Sequence, residues 1–256
     1  MKTVGFIGVG DLALYTIRGW RRGDYEGPIL LSPRNREKAG LLQREFDCEV
    51  RADNQAVADR ADYVFIATRP ADCLETLAGL TFREGQVLVS VVAGVDTAAL
   101  REVVPADLEI VRAMPVSSAE AGASPTLICP DDVFLRHLFD HCGNTIAVED
   151  EDHFNQGSIL ACVYSWFFAL YGELVEATQG PKLPADLSAE LVMGMAQGAA
   201  RLALARTGTT PQEIAAGIAT EGTYSKLGLD LLKQHRAFEP WHEACKLLEQ
   251  KLASDS

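Results

Sequence analysis

The stretch that decides the fold is Met1–Ala13, MKTVGFIGVGDLA. Its β-branched and aromatic residues run up to Gly8, which is typical of a buried strand followed by a turn. Gly8, Gly10 and Ala13 then form a G-x-G-x-x-A pattern. In this pattern the first glycine allows a tight turn, the second lets a pyrophosphate approach the backbone, and the small third residue lets a helix pack closely. We therefore predict a dinucleotide-binding strand–turn–helix unit. The alternative is a strand–turn–helix unit without a ligand.

The composition is that of an ordinary globular protein, with 256 residues of which 48 % are hydrophobic and 23 % are charged. A formal net charge of −13 argues against a nucleic-acid partner or an anionic membrane surface, because both attract basic patches. No signal peptide and no run of 18 apolar residues are found, so we expect no membrane span. Six scattered cysteines without C-x-x-C spacing are expected to be reduced. Together these features predict a cytoplasmic protein.

The end of the second predicted strand, Pro28–Ser32, indicates which dinucleotide binds. An NAD site carries an acid at this point for the ribose 2′-hydroxyl, whereas this chain has Ser32 followed by Arg34 and Arg36. A hydroxyl and two guanidinium groups suit a 2′-phosphate, so NADPH is predicted over NADH. The alternative is that the two arginines are solvated residues at the start of the next helix.

Strand-like and helix-like segments alternate from the glycine pattern to about residue 150. The apolar runs Ala61–Thr68 and Gln86–Val92 are the clearest strands, and Asp96 stands where it can cap a following helix. Alternation at this spacing is typical of a doubly wound parallel sheet. We therefore predict an α/β fold in which residues 1–150 form a Rossmann domain.

Residues 151–256 contain no convincing strand and predict an all-helical second domain. Its first helix, Phe154–Thr178, is apolar on nearly every face between Ile159 and Leu170. A helix of this kind has to be buried, and a domain of about 100 residues is too small to bury it alone. We therefore predict a homodimer that forms through the C-terminal helices, with higher assembly left open.

Five motifs follow one another along the chain. They are the glycine pattern FIGVGDLA, Ala67-Thr68-Arg69-Pro70, Ser90–Val95, Val111–Pro115 and Gly198-Ala199-Ala200. Together they resemble the pyrroline-5-carboxylate reductase family, which makes proline by reducing a cyclic imine with NAD(P)H. The resemblance runs from end to end. It implies a Rossmann domain followed by a helical dimerisation domain, with the substrate held between the Rossmann domain of one subunit and the helices of its partner.

The candidate site residues come from two sources. The glycine pattern and the end of the second strand supply the cofactor residues Gly8, Gly10, Asp11, Leu12, Ser32, Arg34 and Arg36. The resemblance implies further cofactor residues, Thr68, Arg69, Pro70, Ala93 and Gly94, and the substrate residues Met114, Pro115, Glu221, Gly222, Thr223 and Tyr224.

The chain departs from the family where the substrate is expected to bind. Ser158–Tyr164, SILACVY, stands in place of S-G-S-G-P-A-Y, and residues of this type favour a continuous helix over a glycine-rich loop. Thr220–Ser225, TEGTYS, stands in place of S-P-G-G-T-T, so that Glu221 brings a negative charge to a place that receives a carboxylate. Val116 replaces the asparagine after Met-Pro. These departures leave the identity of the substrate open.

Ser225 and Tyr164 are the candidate catalytic residues. Ser225 takes the place of a threonine whose hydroxyl bonds the imine nitrogen in the family, and the alternative role for it is a helix N-cap. Tyr164 matches the family's tyrosine, and the alternative is a structural aromatic residue. Glu221 either favours a cationic amine or is a solvated acid stabilised by a helix dipole.

Imine reduction asks little of the protein, because a protonated imine is already electrophilic and the cofactor carries the hydride. We therefore predict an NADPH-dependent oxidoreductase that acts on the C=N bond of pyrroline-5-carboxylate or a close analogue. A reductase of a different imine or carbonyl compound, and a non-catalytic NADPH-binding dimer, are the alternatives. No metal site is predicted, although His137 and His141 lie one turn apart on a predicted helix.

Overall fold

The computed structural model describes the backbone of residues 1–255 and the side chains of residues 1–252. The chain falls into two compact units, Met1–Ala161 together with the residues from Lys251 onward, and Cys162–Gln250. The predicted domain boundary at residue 150 stays a prediction. In the structure, the first turns of the long helix that follows it belong to the first unit.

The first unit contains all the described strands. They are β1 (Val4–Ile7), β2 (Ile29–Leu31), β3 (Glu49–Val50), β4 (Tyr63–Ile66), β5 (Val87–Ser90), β6 (Glu109–Met114), β7 (Ser124–Cys129) and β8 (Gly143–Ala147). The helices between them are α1 (Asp11–Arg22), α2 (Arg36–Phe46), α3 (Asn54–Ala58), α4 (Pro70–Ala78), α5 (Thr97–Arg101) and α6 (Val133–Asp140), with a 3-10 helix at Ser117–Ala121. The remaining helices are α7 (Glu151–Thr178), α8 (Ala185–Ala205), α9 (Pro211–Ile218), α10 (Tyr224–Gln234) and α11 (Glu239–Asp255).

The strands form one sheet in the order β3-β2-β1-β4-β5-β6-β7-β8. β1 pairs in parallel with β2 on one side and β4 on the other, so that Phe6 lies opposite Leu31 and Phe65. The predicted Rossmann fold is confirmed, with a correction at its far edge. β7 runs antiparallel to β6, and β8 is parallel to β7. Only residues 115–123 connect β6 and β7, and a parallel crossover needs a dozen residues or more.

An aromatic cluster forms the centre of the core in the first unit. Phe6 and Phe65 stack with ring centroids 4.7 Å apart, and Trp20 of α1 packs against both rings. Phe139 of α6 lies against Trp20 on the same side of the sheet. All four side chains are buried. Because α1 is anchored on β1 and β4 through Trp20, its first residue is fixed directly after the glycine turn.

The second unit is helical, as predicted, and leaves much apolar surface exposed. Trp241 of α11 packs edge-on against Trp166 of α7, and the hydroxyls of Thr178 and Ser188 lie 2.6 Å apart between α7 and α8. The exposed large apolar residues of α7 and α8 in this unit are Phe167, Phe168, Leu170, Leu174, Leu187, Leu191, Met193, Met195, Leu202 and Leu204. The unit by itself therefore does not bury α7, which is the premise of the predicted dimer.

By length and composition alone, α7 is also apolar enough to cross a membrane, and 11 % of its most apolar window is buried. The sequence of α7 contains no unbroken run of 18 apolar residues, because polar residues such as Ser158 and Ser165 interrupt it. The expectation that the protein has no membrane span stays a prediction.

Candidate functional site

The candidate cofactor residues lie around the carboxyl end of β1. Within the sheet, β2 and β3 lie along one edge of β1, and the chain then returns to form β4 along the other edge of β1. The order of the strands therefore reverses between β1 and β4, and ligands of open α/β sheets bind in the crevice at such a point. The glycine pattern follows β1 directly and lies at this crevice.

Gly8 makes the tight turn that the sequence predicts. Its φ of +94° lies in the region that favours glycine, and a Cβ added here would lie 2.6 Å from the carbonyl oxygen of Ala67. The N–H of Gly8 donates to Oγ of Ser32, 3.0 Å away. The end of β1 is therefore held against the ends of β2 and β4 by contacts that leave no space for a side chain.

Gly10 leaves an open space at the start of α1. It occupies the N-cap position without a side-chain cap, and a Cβ built on it meets nothing within 4 Å. Asp11, the first residue of α1, is exposed, and Leu12, the second, is half-buried. An uncapped helix N-terminus with free space in front of it suits a pyrophosphate, because its N–H groups and its dipole both favour an anion. The residues present therefore fit a dinucleotide.

The residues after β2 divide into one buried hydroxyl and two exposed cations. Ser32 is buried, and its oxygen supports the turn by accepting from Gly8. Arg34 is exposed and pairs with Asp72 of α4, with Nη1 and Oδ2 3.1 Å apart. Arg36, the first residue of α2, is exposed. Of the three residues proposed to hold a 2′-phosphate, the two arginines thus reach solvent, while Ser32 contacts the turn itself.

The loop after β4 approaches the glycine turn most closely. Thr68 has its backbone nitrogen 2.9 Å from the position of a Cβ on Gly8, and its Oγ1 is buried without a hydrogen-bond partner among the described residues. Arg69 is the N-cap residue of α4 and Pro70 its first residue, and both are exposed. Burial raises the pKa of the Cys73 thiol, and an interaction of that thiol with the side chain of Thr68 lowers it by less.

The loop after β5 is open to solvent. Ala93 and Gly94 are exposed, and Gly94 has a φ of +73° with nothing near a built Cβ. Asp96 caps α5 by accepting from the N–H of Ala99 over 2.7 Å, which confirms the predicted cap. The loop therefore ends in a fixed helix start while its tip stays accessible.

The end of β6 carries an ion pair between the buried Arg112 and the half-buried Glu151, for which the sequence alone predicts no role. Arg112 Nη1 lies 2.6 Å from Oε1 of Glu151 and 2.7 Å from Oδ1 of Asn155, and its guanidinium lies over the ring of Phe154. The same Glu151 oxygen accepts from the N–H of Thr97, 2.8 Å away. One carboxylate thus joins the start of α7 to the start of α5 and to β6. The candidate substrate residues Met114, half-buried, and Pro115, buried, lie two and three residues past Arg112.

The segment Ser158–Tyr164 is part of the continuous helix α7, as the loss of glycine and proline predicts. Ser158 donates its hydroxyl hydrogen to the carbonyl of Asn155, 2.7 Å away. Tyr164 is half-buried and packs edge-on against Phe168, with centroids 5.2 Å apart. The backbone N–H groups that a glycine-rich loop would free are therefore used within the helix here.

The start of α10 carries the candidate proton donor. Thr223 is the N-cap residue, because its Oγ1 accepts from the N–H of Lys226 over 3.2 Å. Gly222, with a φ of +80°, makes the turn before it. Ser225 lies in the first turn of the helix and is exposed. The alternative role of Ser225 as an N-cap is therefore wrong, since Thr223 fills that position two residues earlier.

The neighbours of Ser225 are charged or fully exposed. Tyr224 is 93 % exposed, and Glu221 is exposed in the turn before α10. Lys226 Nζ lies 2.5 Å from Oδ2 of Asp230. The Asp230 carboxylate, and more weakly that of Glu221, raises the pKa of Lys226. The candidate substrate and catalytic residues from Tyr164 onward all belong to the second unit, whereas the candidate cofactor residues all belong to the first.

The cysteines and histidines in the described part of the chain form neither a disulfide nor a metal-binding group. All six cysteines are free, as predicted. Burial raises the pKa of Cys48 to about 11 and that of Cys142 to about 12, so both thiols stay protonated at neutral pH. Among the described residues, no three histidine, cysteine or acidic side chains are grouped to hold a metal ion. The Nδ1 atom of His141 contacts the carbonyl oxygen of Gly23 instead.

Comparison with known proteins finds similarity along nearly the whole chain. Residues 3–94 match a family model described as NADP oxidoreductase, coenzyme F420-dependent. The chain is 24 % identical over 233 residues to a pyrroline-5-carboxylate reductase of Corynebacterium melassecola, a match that covers 86 % of each chain. It is 27 % identical over 222 residues to one from Mycobacterium tuberculosis, which covers 80 % of this chain and 75 % of that one. A crystal structure of the Plasmodium falciparum pyrroline carboxylate reductase with NADP bound shares the fold, with a TM-score of 0.86 at 17 % identity and coverage of 99 % and 98 %.

Proposed function

We propose, from the premise that this chain belongs to the pyrroline-5-carboxylate reductase family, that it reduces pyrroline-5-carboxylate or a closely related cyclic imine with NADPH. Family membership makes it an NAD(P)H-dependent oxidoreductase acting on a C=N bond. The observation that carries the proposal is the uncapped start of α1, with open space at Gly10, at the point where the strand order reverses. A dinucleotide pyrophosphate fits this arrangement.

The choice of NADPH over NADH is supported by the exposed arginines after β2. Arg34 and Arg36 reach solvent there, and no acid stands at the strand end to bind a 2′-hydroxyl. When bound, NADPH supplies the hydride that the imine carbon accepts. Dissociation constants measured by cofactor fluorescence test the choice. We expect NADPH to bind at least about tenfold more tightly than NADH, because a 2′-phosphate adds charge-assisted hydrogen bonds. Equal binding, or tighter binding of NADH, would contradict it.

The protein's own residues would then bind the cofactor and act on the imine. The N–H groups of Gly10, Asp11 and Leu12 would hold the pyrophosphate, and the loops after β4 and β5 would lie beside the reactive end of the cofactor, as the resemblance implies. Ser225 would donate a hydrogen bond to the imine nitrogen, and the proton that this nitrogen gains in the reduction would come from water. The capping of α10 by Thr223 supports this role, because the hydroxyl of Ser225 is then not used to cap the helix. Tyr164 on α7 is the second candidate catalytic residue.

A cyclic imine without a carboxylate is a second candidate substrate. Two observations favour it: α7 is continuous through residues 158–164, so that no free N–H groups receive a carboxylate there, and Glu221 adds negative charge. NADPH oxidation with pyrroline-5-carboxylate and with 1-pyrroline, compared at saturating cofactor, distinguishes the two. Preference for the acid supports the family's substrate, and preference for 1-pyrroline supports the second candidate. Oxidation with neither, although NADPH binds, contradicts both and leaves a reductase of a different imine or carbonyl compound, or a non-catalytic NADPH-binding dimer.

We further propose that a second copy of the chain covers the exposed apolar surface of α7 and α8. Half or more of Phe168, Met195 and Leu204 is exposed in the single subunit. Contiguous apolar surface on this scale marks an interaction site. A lipid membrane is the alternative partner for the apolar surface of α7. A homodimer in the cytoplasm would have no such partner. A protein that sediments as a dimer without detergent supports the proposal, and one that needs detergent to stay in solution contradicts it.

A further inference from the structure

An ion pair lies directly after the glycine turn, at the start of α1. Asp11, the first residue of α1, has its Oδ1 2.6 Å from Nζ of Lys38 in the first turns of α2. The side chain of Asp11 is 65 % exposed and that of Lys38 is 26 % exposed. The carboxylate of Asp11, one residue after Gly10, is therefore the more exposed partner of the pair, and the Lys38 side chain is the more buried one.

The position of Asp11 creates a conflict with the proposed ligand. A carboxylate in the first turn of a helix is stabilised by the helix dipole. The same dipole and the same N–H groups are what a pyrophosphate uses. An unpaired carboxylate beside them would repel the phosphates, and repulsion between like charges weakens binding.

We propose that Lys38 is a positioning residue for the cofactor and acts through Asp11. Its ammonium group neutralises the carboxylate, so that the pyrophosphate meets the N–H groups of α1 without a net negative charge beside them. Lys38 is itself fixed by the start of α2, because its N–H donates to Oδ1 of the N-cap residue Asn35 over 3.2 Å. This inference rests on the proposed binding of NADPH.

A double-mutant cycle on cofactor binding tests this role. Lys38→Met, Asp11→Asn and the double variant are compared with the unmodified chain by the dissociation constants of NADPH and NADH. We expect Lys38→Met to weaken the binding of both cofactors by about tenfold, because the pyrophosphate is common to both. In the Asp11→Asn background the same substitution is expected to weaken binding by less than about twofold, since no carboxylate is left to neutralise.

Two results would overturn the role of Lys38. An equal effect of Lys38→Met in both backgrounds, including no effect at all, would mean that it does not act through Asp11. A loss confined to NADPH would mean that Lys38 contacts the 2′-phosphate directly. Lys38→Arg keeps the charge and should restore binding to within about twofold of the unmodified chain.

A matched control separates this ion pair from exposed ion pairs in general. Arg136 pairs with Asp131 on the surface of the same unit, with Nη2 and Oδ2 2.9 Å apart. Arg136→Met should leave both dissociation constants unchanged, and retained circular dichroism confirms folding of every variant. If the unmodified chain binds neither nucleotide, the proposed function fails. If it binds them and the cycle is additive, only the role of Lys38 fails.

Discussion

The two units of this chain carry the proposed reaction in different ways. In the first unit, the cofactor residues are defined by the backbone: a turn with no space for a side chain at Gly8, free space at Gly10, and helix N–H groups. In the second, the substrate and catalytic candidates are exposed side chains on helices, such as Ser225 and Tyr224. A site made of backbone tolerates change in its surrounding sequence, whereas a site made of side chains changes with every substitution. The pattern that resembles the family is accordingly kept at the glycine turn and altered where the substrate is expected to bind. The altered positions are Val116 in the first unit, Ser158–Tyr164 across both units and Thr220–Ser225 in the second.

The largest expected effect sharpens the first half of this comparison. Gly10→Ala places a methyl group in the space in front of α1 without touching any described atom. We expect NADPH binding to weaken by about 100-fold, because the pyrophosphate can no longer approach the backbone. Gly79→Ala, at the exposed end of α4, is the control and should bind normally. Unchanged binding by Gly10→Ala would place the pyrophosphate elsewhere.

The second prediction concerns the half-buried carboxylate of Glu151, which joins α7 to the sheet through the buried Arg112. Glu151→Ala leaves the guanidinium of Arg112 buried without its ionic partner. Loss of one partner from a buried ion pair is expected to lower the free energy of unfolding by about 3 kcal/mol. Denaturant unfolding measures this. Glu239→Ala, which breaks an exposed pair with Arg236, should cost less than about 1 kcal/mol. Similar costs for the two variants would show that the buried pair contributes no more than a surface pair.

The third prediction addresses the exposed surface of the second unit. Met195→Glu places a charge in the middle of α8, where the residue is 72 % exposed in the single subunit. If a second copy covers this surface, the unpaired charge becomes buried. The dissociation constant of the dimer should then rise by about 100-fold, as measured by sedimentation. Val133→Glu alters an apolar residue of the first unit that is 84 % exposed, and it should leave assembly unchanged. Unchanged assembly in both variants would contradict an interface at this part of α8.

The smallest expected effect comes from the core of the first unit. Burial raises the pKa of Cys48 from 9.0 to about 11. Between these values the unfolded chain has lost the proton and the folded chain keeps it, so stability is complete below pH 9 and falls as the pH rises toward 11. The slope is about 1.4 kcal/mol per pH unit. Cys48→Ala should remove this part of the slope, and Cys162→Ala, at an exposed position, should not. An identical slope in Cys48→Ala would contradict the buried thiol.

Much of the fold could be predicted because its signals are local. The glycine turn, the alternation of strands and helices and the cap at Asp96 each depend on a few consecutive residues. The direction of β7 could not be predicted in this way, because alternation does not encode whether a strand runs parallel or antiparallel. It follows instead from the short connection after β6.

The candidate site was predicted less completely, because its contacts join residues that are far apart in the sequence. The pairs Asp11–Lys38 and Arg112–Glu151 join residues 27 and 39 positions apart in the sequence, and only the folded chain brings them together. At α10, Thr223 and Ser225 are both suitable caps. The turn at Gly222, with its positive φ, sets where the helix begins and decides between them. Competition of this kind cannot be resolved from residue type alone.

The most direct test of the central claim is transfer of deuterium from NADPH labelled at C4 to pyrroline-5-carboxylate, with the product identified by mass spectrometry. Binding of the labelled cofactor is established first by fluorescence. The account predicts proline that carries one deuterium at the former imine carbon. The contradicting result is bound NADPH with no deuterium in any product from pyrroline-5-carboxylate or from 1-pyrroline, because the chain would then hold the cofactor without reducing a cyclic imine.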